Sequence, residues 1–202
     1  DRCQAYHNCG RAYGGFKGNT PYFTRGGNFR MQQFQAVILL QQFEKLVKET
    51  EHRGENGDYL SAQLKQIPGI EPVRLPENSY PVWHLYPFRY DARQFNGLTR
   101  DQFTRAMNAE GIPCGGGYHE QYFDGLLEET TASRGFQRLF SAERIKAYHE
   151  SLQELKGNRQ VCATTVGMYQ SVLLAERADM DRIVEAARKI QFHSAAIKKS
   201  MS

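Results

Sequence analysis

No stretch of this 202-residue sequence approaches the roughly 20 consecutive apolar residues of a membrane-spanning helix, which argues against a membrane protein. The opening run from Asp1 to Arg11 has neither the basic head nor the apolar middle of a signal peptide. It also lacks an initiating methionine, and Asp1 is read as a cut end with more protein before it. Cysteine is sparse. Cys3, Cys9, Cys114 and Cys162 are spread along a chain too large to need covalent staples, which fits reduced thiols and a cytoplasmic setting better than a disulfide framework. No basic cluster offers a footprint for nucleic acid, because the net charge of +4 comes from Lys and Arg interspersed with Asp and Glu. Internal repeats and low-complexity tracts are missing as well. What remains, 40% hydrophobic and 24% charged residues, is the composition of an ordinary globular protein with room for one large domain or two small ones.

Glycine and aromatics dominate the first segment. From Asp1 to Asn28, Gly10, Gly14, Gly15, Gly18, Gly26 and Gly27 separate Tyr6, Tyr13, Phe16, Tyr22 and Phe23 without a 3.6-residue apolar repeat, so a loop is predicted with one short helical turn at its start. The character changes at Phe29. Phe34, Ile38, Phe43, Leu46 and Val47 follow helical spacing, Glu44 and Lys48 can pair at i, i+4, and Tyr59, Leu60 and Leu64 resume the stripe beyond Gly54 and Gly57, where such a helix would break. It is expected to stop before Pro68 and Gly69.

Pro72 and Pro76 mark an extended connection, and Tyr80 to Tyr90 then reads as an aromatic-rich strand whose Pro87 places it at a sheet edge or a bulge. Thr99 and Gln102 have capping-box spacing for a helix that buries Phe103 and Met107 and ends at Gly111. Ile112 to Cys114 looks strand-like, and Gly115-Gly116-Gly117 is a run that no regular element favours. Ser141 can cap a helix through about Leu155, after which Val161 to Val166 and Ser171 to Leu174 look extended. Asp179 caps a last helix with Met180, Ile183, Val184, Ala187 and Ile190 on one face, and the polar tail from His193 is expected to fray. The alternation predicts a small α/β domain hung on one long helix.

Four constellations invite chemistry. Gly14 to Thr20 holds Lys17 among glycines, but the order required of a nucleotide phosphate loop is not there, so a surface loop is expected. Cys3, His7, Cys9, Cys114 and His119 carry metal-ligand side chains, yet they form one irregular cluster and a distant pair where structural zinc uses two short knuckles; no metal site is expected. Gly26-Gly27-Asn28-Phe29-Arg30-Met31 sits at the predicted start of the long helix, where free amides and the macrodipole favour an anion, although on spacing alone Asn28 reads first as a helix cap. In Gly115 to Tyr122, three glycines bring backbone close to a bulky ligand and Tyr118, His119 and Glu120 can grip a polyhydroxylated one, although a flexible surface loop has the same composition. His84, inside the aromatic strand, reads as a satisfied core histidine.

The segment Gly27-Asn28-Phe29-Arg30-Met31-Gln32-Gln33-Phe34-Gln35-Ala36-Val37-Ile38-Leu39 resembles the stretch just downstream of the Schiff-base lysine in the DegT/DnrJ/StrS family of aminotransferases. Further likenesses follow in order. His7 to Arg11 is similar to the segment after that family's lysine loop, Trp83 to Tyr90 to its small-domain strand, Glu110 to Cys114 to the entrance of its substrate loop, and Leu173 to Ala186 to its last helix.

This resemblance implies an α/β (α+β) fold, the small C-terminal domain of the aspartate-aminotransferase-like fold, with a long linking helix and a small sheet covered by helices. Residues 1–28 would be a remnant loop of the large cofactor domain, 29–66 the interdomain helix and 67–202 the small C-terminal domain. The implied activity is pyridoxal-phosphate-dependent transfer of an amino group from glutamate or glutamine to a keto-sugar or keto-cyclitol, by a homodimer whose active sites are shared between subunits. Asn28 would reach the phosphate of the partner subunit's pyridoxal phosphate, which tips its reading from cap to ligand contact, and Tyr118 and His119 would lie near the sugar. No catalytic residue is assigned in this chain. Lys17, Lys45 and Lys48 match no motif, and the Schiff-base lysine with its companion carboxylate is expected upstream of Asp1, so the chain alone is expected to be inactive. Its glycine-aromatic stretch and one helix face, meant for missing parts, are expected to make it self-associate. The alternative is a non-catalytic binding or regulatory module that keeps the small-domain fold.

Overall fold

A computed structural model describes residues 2–11 and 24–201. Contacts divide the chain into two compact units, Asp1–Lys48 and Glu49–Ser202, with the boundary inside one long helix. In the first unit, helix α1 (Arg2–His7) ends where Cys9 and Gly10 take left-handed φ angles of 56° and 85°. That turn sends the chain back so that Asn8 and Asn28 form an antiparallel bridge. The Cys9 N–H donates to the Gly27 carbonyl at 2.8 Å, Gly27 N–H to Tyr6 at 2.9 Å and Phe29 N–H to His7 at 2.9 Å. Glycine is required at position 26, because a Cβ there would lie 2.5 Å from the Tyr6 carbonyl oxygen.

Helix α2 (Gln33–Leu64) starts four residues later than its apolar pattern suggested, with the Gln32 N–H held by Gln35 Oε1 at 2.9 Å. It runs unbroken through Gly54 and Gly57. The predicted stripe is present but uncovered over its first half: Phe34, Ile38, Leu46 and Val47 are exposed, and Phe43 keeps 71% of its surface open. Periodicity predicts a face, not its partner, and no described residue packs there. The i, i+4 pair formed on this helix is Glu49–Arg53, 3.1 Å apart.

In the second unit the C-terminal half of α2 packs on a four-stranded antiparallel sheet in the order β1-β2-β4-β3. The strands are β1 (Ile70–Pro72), β2 (Leu85–Tyr90), β3 (Gly115–Gly116) and β4 (Thr165–Tyr169). Tyr86, Phe88, Val166 and Met168 alternate onto the inner face and are fully buried, each apolar one contributing about 1.5–3 kcal/mol. Against them lie Phe103 and Met107 of α3 (Arg100–Ala109), capped by the expected Thr99–Gln102 box, and the apolar face of the last helix, α8 (Arg177–Ser200). Four surface helices, α4 (Leu126–Ala132), α5 (Arg134–Leu139), α6 (Ala142–Leu152) and α7 (Lys156–Thr164), connect β3 to β4. The observed class is therefore mixed α/β, as expected from the sequence.

Several local expectations need correction. β2 is an interior strand despite Pro87: Asp91 N–H donates to Gly69 O at 2.8 Å, so alternation aims the missing Pro87 donor to the same side, past the end of β1 at Pro72. The strand is also shorter than Tyr80–Tyr90, beginning at Leu85. Gly115 and Gly116, expected to avoid regular structure, pair with Gly167 and Val166, whereas Ile112–Cys114 stays outside the ladder. Residues 161–164 close helix α7 instead of extending, and Gly167 lies inside β4, while 171–174 belong to a 3-10 turn. Glu176 is the N-cap of α8 and Asp179 binds its N–H from the third helical position; the helix continues through the supposedly frayed tail.

Candidate functional site

Asn28 is exposed and does not cap α2, which begins five residues on. Backbone pairing with Asn8 fixes its position, and Arg30 Nε donates to its Oδ1 at 2.9 Å. A guanidinium can only donate, so this contact orients the amide and leaves its NH2 as the group able to bind an anion beside a cation. The segment thus presents donors to an open surface. Every described lysine is exposed. Lys17 and the rest of the glycine-rich stretch from Gly14 to Thr20 lie outside the described residues.

The loop after β3 forms a second candidate, wholly within the 49–202 unit. Gly117 N–H reaches Thr165 O at 3.2 Å, extending the ladder, and Glu120 is tied to Arg159 of α7 at 3.2 Å. These anchors set Tyr118 and His119 apart. Tyr118 lines a cavity of about 260 Å³ on the outer face of the sheet, while His119 is turned to Asp124, with Nε2 and Oδ1 2.6 Å apart, and is not among the cavity's lining residues. Five further lining residues, His84, Leu85, Gly167, Met168 and Tyr169, were not read as site residues from the sequence. His84 is exposed, not a core histidine, because it lies just before the first paired residue of β2. Only the register Leu85↔Tyr169 brings these segments together, and no local pattern encodes that pairing.

The remaining candidate ligands are dispersed. Cys3 and His119 are exposed, and burial pushes the Cys114 thiol up to about 11, so it is protonated at neutral pH. Among the described residues no group of three or more His, Cys, Asp or Glu side chains is arranged to hold a metal, and no helix is long and apolar enough to cross a membrane.

Solved structures place this architecture. The chain is similar over 93% of its length to 3-amino-5-hydroxybenzoic acid synthase, with a TM-score of 0.69 and 19% identity, and covers 45% of that chain. An aminotransferase of pseudoaminic acid biosynthesis from Helicobacter pylori matches 93% of it at a TM-score of 0.63 and 16% identity, over 44% of the solved chain. The fold is that of part of an aminotransferase. A family profile matches residues 1–149, and the chain belongs to the DegT/DnrJ/EryC1/StrS aminotransferase family, whose members use pyridoxal phosphate. Curated relatives include a putative L-glutamine:3-amino-2,3-dideoxy-scyllo-inosose aminotransferase of Micromonospora echinospora, 27% identical over 181 residues, and an L-glutamine:2-deoxy-scyllo-inosose aminotransferase of Streptomyces kanamyceticus, 25% identical over 179. These alignments cover 87% and 85% of the chain but 42% and 40% of the relatives, so the chain spans under half their length.

Proposed function

We propose that this chain is the C-terminal part of a pyridoxal-phosphate-dependent aminotransferase that moves the amino group of glutamine or glutamate onto a keto-sugar or keto-cyclitol. The observation that carries the reading is the family match over residues 1–149, joined to the exposed donor set at Asn28. The relatives' names supply the donor and acceptor classes. When bound, the cofactor provides the electron sink for the transfer. This chain's contribution is to grip and orient: the Asn28 amide donates to a phosphate oxygen of the cofactor held by the other subunit of a homodimer, and Tyr118 and His119 lie on the acceptor side. The exposed apolar face from Phe34 to Val47 supports the view that further polypeptide covers it. Residues 1–28 then belong to the large cofactor domain, 29–66 to the linking helix and 67–202 to the small domain. The lysine that bonds the cofactor lies outside this chain, which alone is inactive, and the enzyme works in the cytoplasm.

The reading frame upstream of Asp1 tests this. It is expected to encode a lysine loop with a companion aspartate, and the longer protein is expected to aminate scyllo-inosose with L-glutamine. Asn28→Ala should weaken cofactor retention roughly 10- to 100-fold, the loss of one hydrogen bond to a charged group. An upstream frame without that lysine would defeat the proposal, and unchanged cofactor affinity in Asn28→Ala would remove the asparagine's role.

A further inference from the structure

Two side chains of opposite charge stand directly across from each other on neighbouring strands and do not pair. Glu71 of β1 and Arg89 of β2 are register partners, an arrangement that ordinarily draws opposite charges together. Both are exposed, neither makes a side-chain hydrogen bond or ion pair with any described residue, and Arg89 acts on Asp91 only through space. They line one cavity of about 770 Å³ at the end of the sheet, bounded by the exit of β2, the start of α3 and the last turn of α7. That volume suits a small molecule, and the whole lining lies within the 49–202 unit.

The other charges in this lining are already satisfied. Asp91 holds the Arg93 guanidinium through both carboxylate oxygens, at 2.7 to 3.1 Å, and accepts the Arg93 N–H at 3.0 Å. Arg100 donates to Asp101 Oδ1 at 2.9 and 3.0 Å and to the Cys162 carbonyl at 2.8 Å, where it also offsets the negative end of the α7 dipole. What the cavity leaves for a visitor is one cation and one carboxylate. A lone anion bound to Arg89 would meet Glu71, and a lone cation bound to Glu71 would meet Arg89. Residues directly opposite on antiparallel strands hold their Cβ atoms about 4.5–5.5 Å apart, a spacing that the adjacent ammonium and carboxylate of one molecule can serve together.

We propose that this cavity is a binding site for a free α-amino acid, with its carboxylate on Arg89 and its ammonium on Glu71. The exposed amides of Gln94 and Gln160 in the same lining both donate and accept, so they match an uncharged polar side chain. The site stands on the strand register and the cavity, and it does not need the aminotransferase reading.

The test is a titration of the isotopically labelled chain with L-asparagine, followed by amide shifts. Two probes separate the charges: succinamate lacks the ammonium of L-asparagine, and β-alaninamide lacks its carboxylate. L-asparagine at millimolar concentration is expected to move the amides of Glu71, Arg89 and Thr164, and neither probe is at the same concentration. Arg89→Gln and Glu71→Gln should each bind roughly tenfold more weakly, the loss of one charged hydrogen-bonding partner. Because both side chains are exposed, both variants should melt with the parent. Glu150→Gln, on the outer helix α6, should bind like the parent. Parent-like binding by either Arg89→Gln or Glu71→Gln, an equal response to either singly charged probe, or no response to L-asparagine overturns the site.

Discussion

Replacing Asn56 with alanine probes the junction that holds the long helix to the rest of the 49–202 unit. Asn56 is almost fully buried, and its amide donates to the carbonyls of Leu173 and Ala175 at 2.9 Å each, just ahead of α8. Truncation strips the buried Leu173 carbonyl of that donor, which costs about 1–3 kcal/mol. The Ala175 carbonyl still meets His52 Nε2 at 3.1 Å, so its share is smaller, about 0.5–1.5 kcal/mol. Alanine's better helix propensity returns about 0.5 kcal/mol. The net loss is about 1–4 kcal/mol, or roughly 2–16 °C in the melting temperature of a unit of this size. Thermal denaturation followed by far-ultraviolet circular dichroism reads it. A drop below about 2 °C, or an Asn56→Asp variant as stable as the parent although its carboxylate cannot donate, would refute the reasoning.

Alkaline stability and thiol reactivity give two further readouts. Burial raises both Tyr86 and Tyr90 well above the ordinary phenol value. Below about pH 10 both states keep these protons; above it only the unfolded chain loses them, so stability falls with rising pH by up to about 1.4 kcal/mol per unit for each tyrosine. Chemical denaturation at pH 9 and 11 should show this decline, and equal midpoints would contradict it. With Cys114 raised from 9.0 to about 11, its thiolate fraction at pH 8 is roughly ninetyfold below that of an unperturbed thiol. Mass-spectrometric alkylation should therefore label exposed Cys3 long before Cys114, and simultaneous labelling would sink the assignment.

Some elements were legible because their signals are local. The Thr99–Gln102 box, the Ser141 cap and the stripe from Met180 to Ile190 each lie within a few residues of their own partners, and each formed where the pattern put it. Val161 to Thr164 misled because β-branched residues near a strand look extended, yet the i to i−4 bonds of α7 outweigh that weak preference. Asn28 was not legible as a bridge residue, since its partner Asn8 lies twenty positions away.

The amino-acid order by itself determined the fold class, the family and the caps at Thr99 and Ser141, all of which depend on residues close in sequence or on motifs read in order. Tertiary structure alone decided that the stripe on α2 stays open over its first half, that Pro87 sits inside a sheet, and that Gly167 faces Gly115 with His84 and Tyr169 beside them. Those facts are set by strand register, and register depends on which distant segments close the same core.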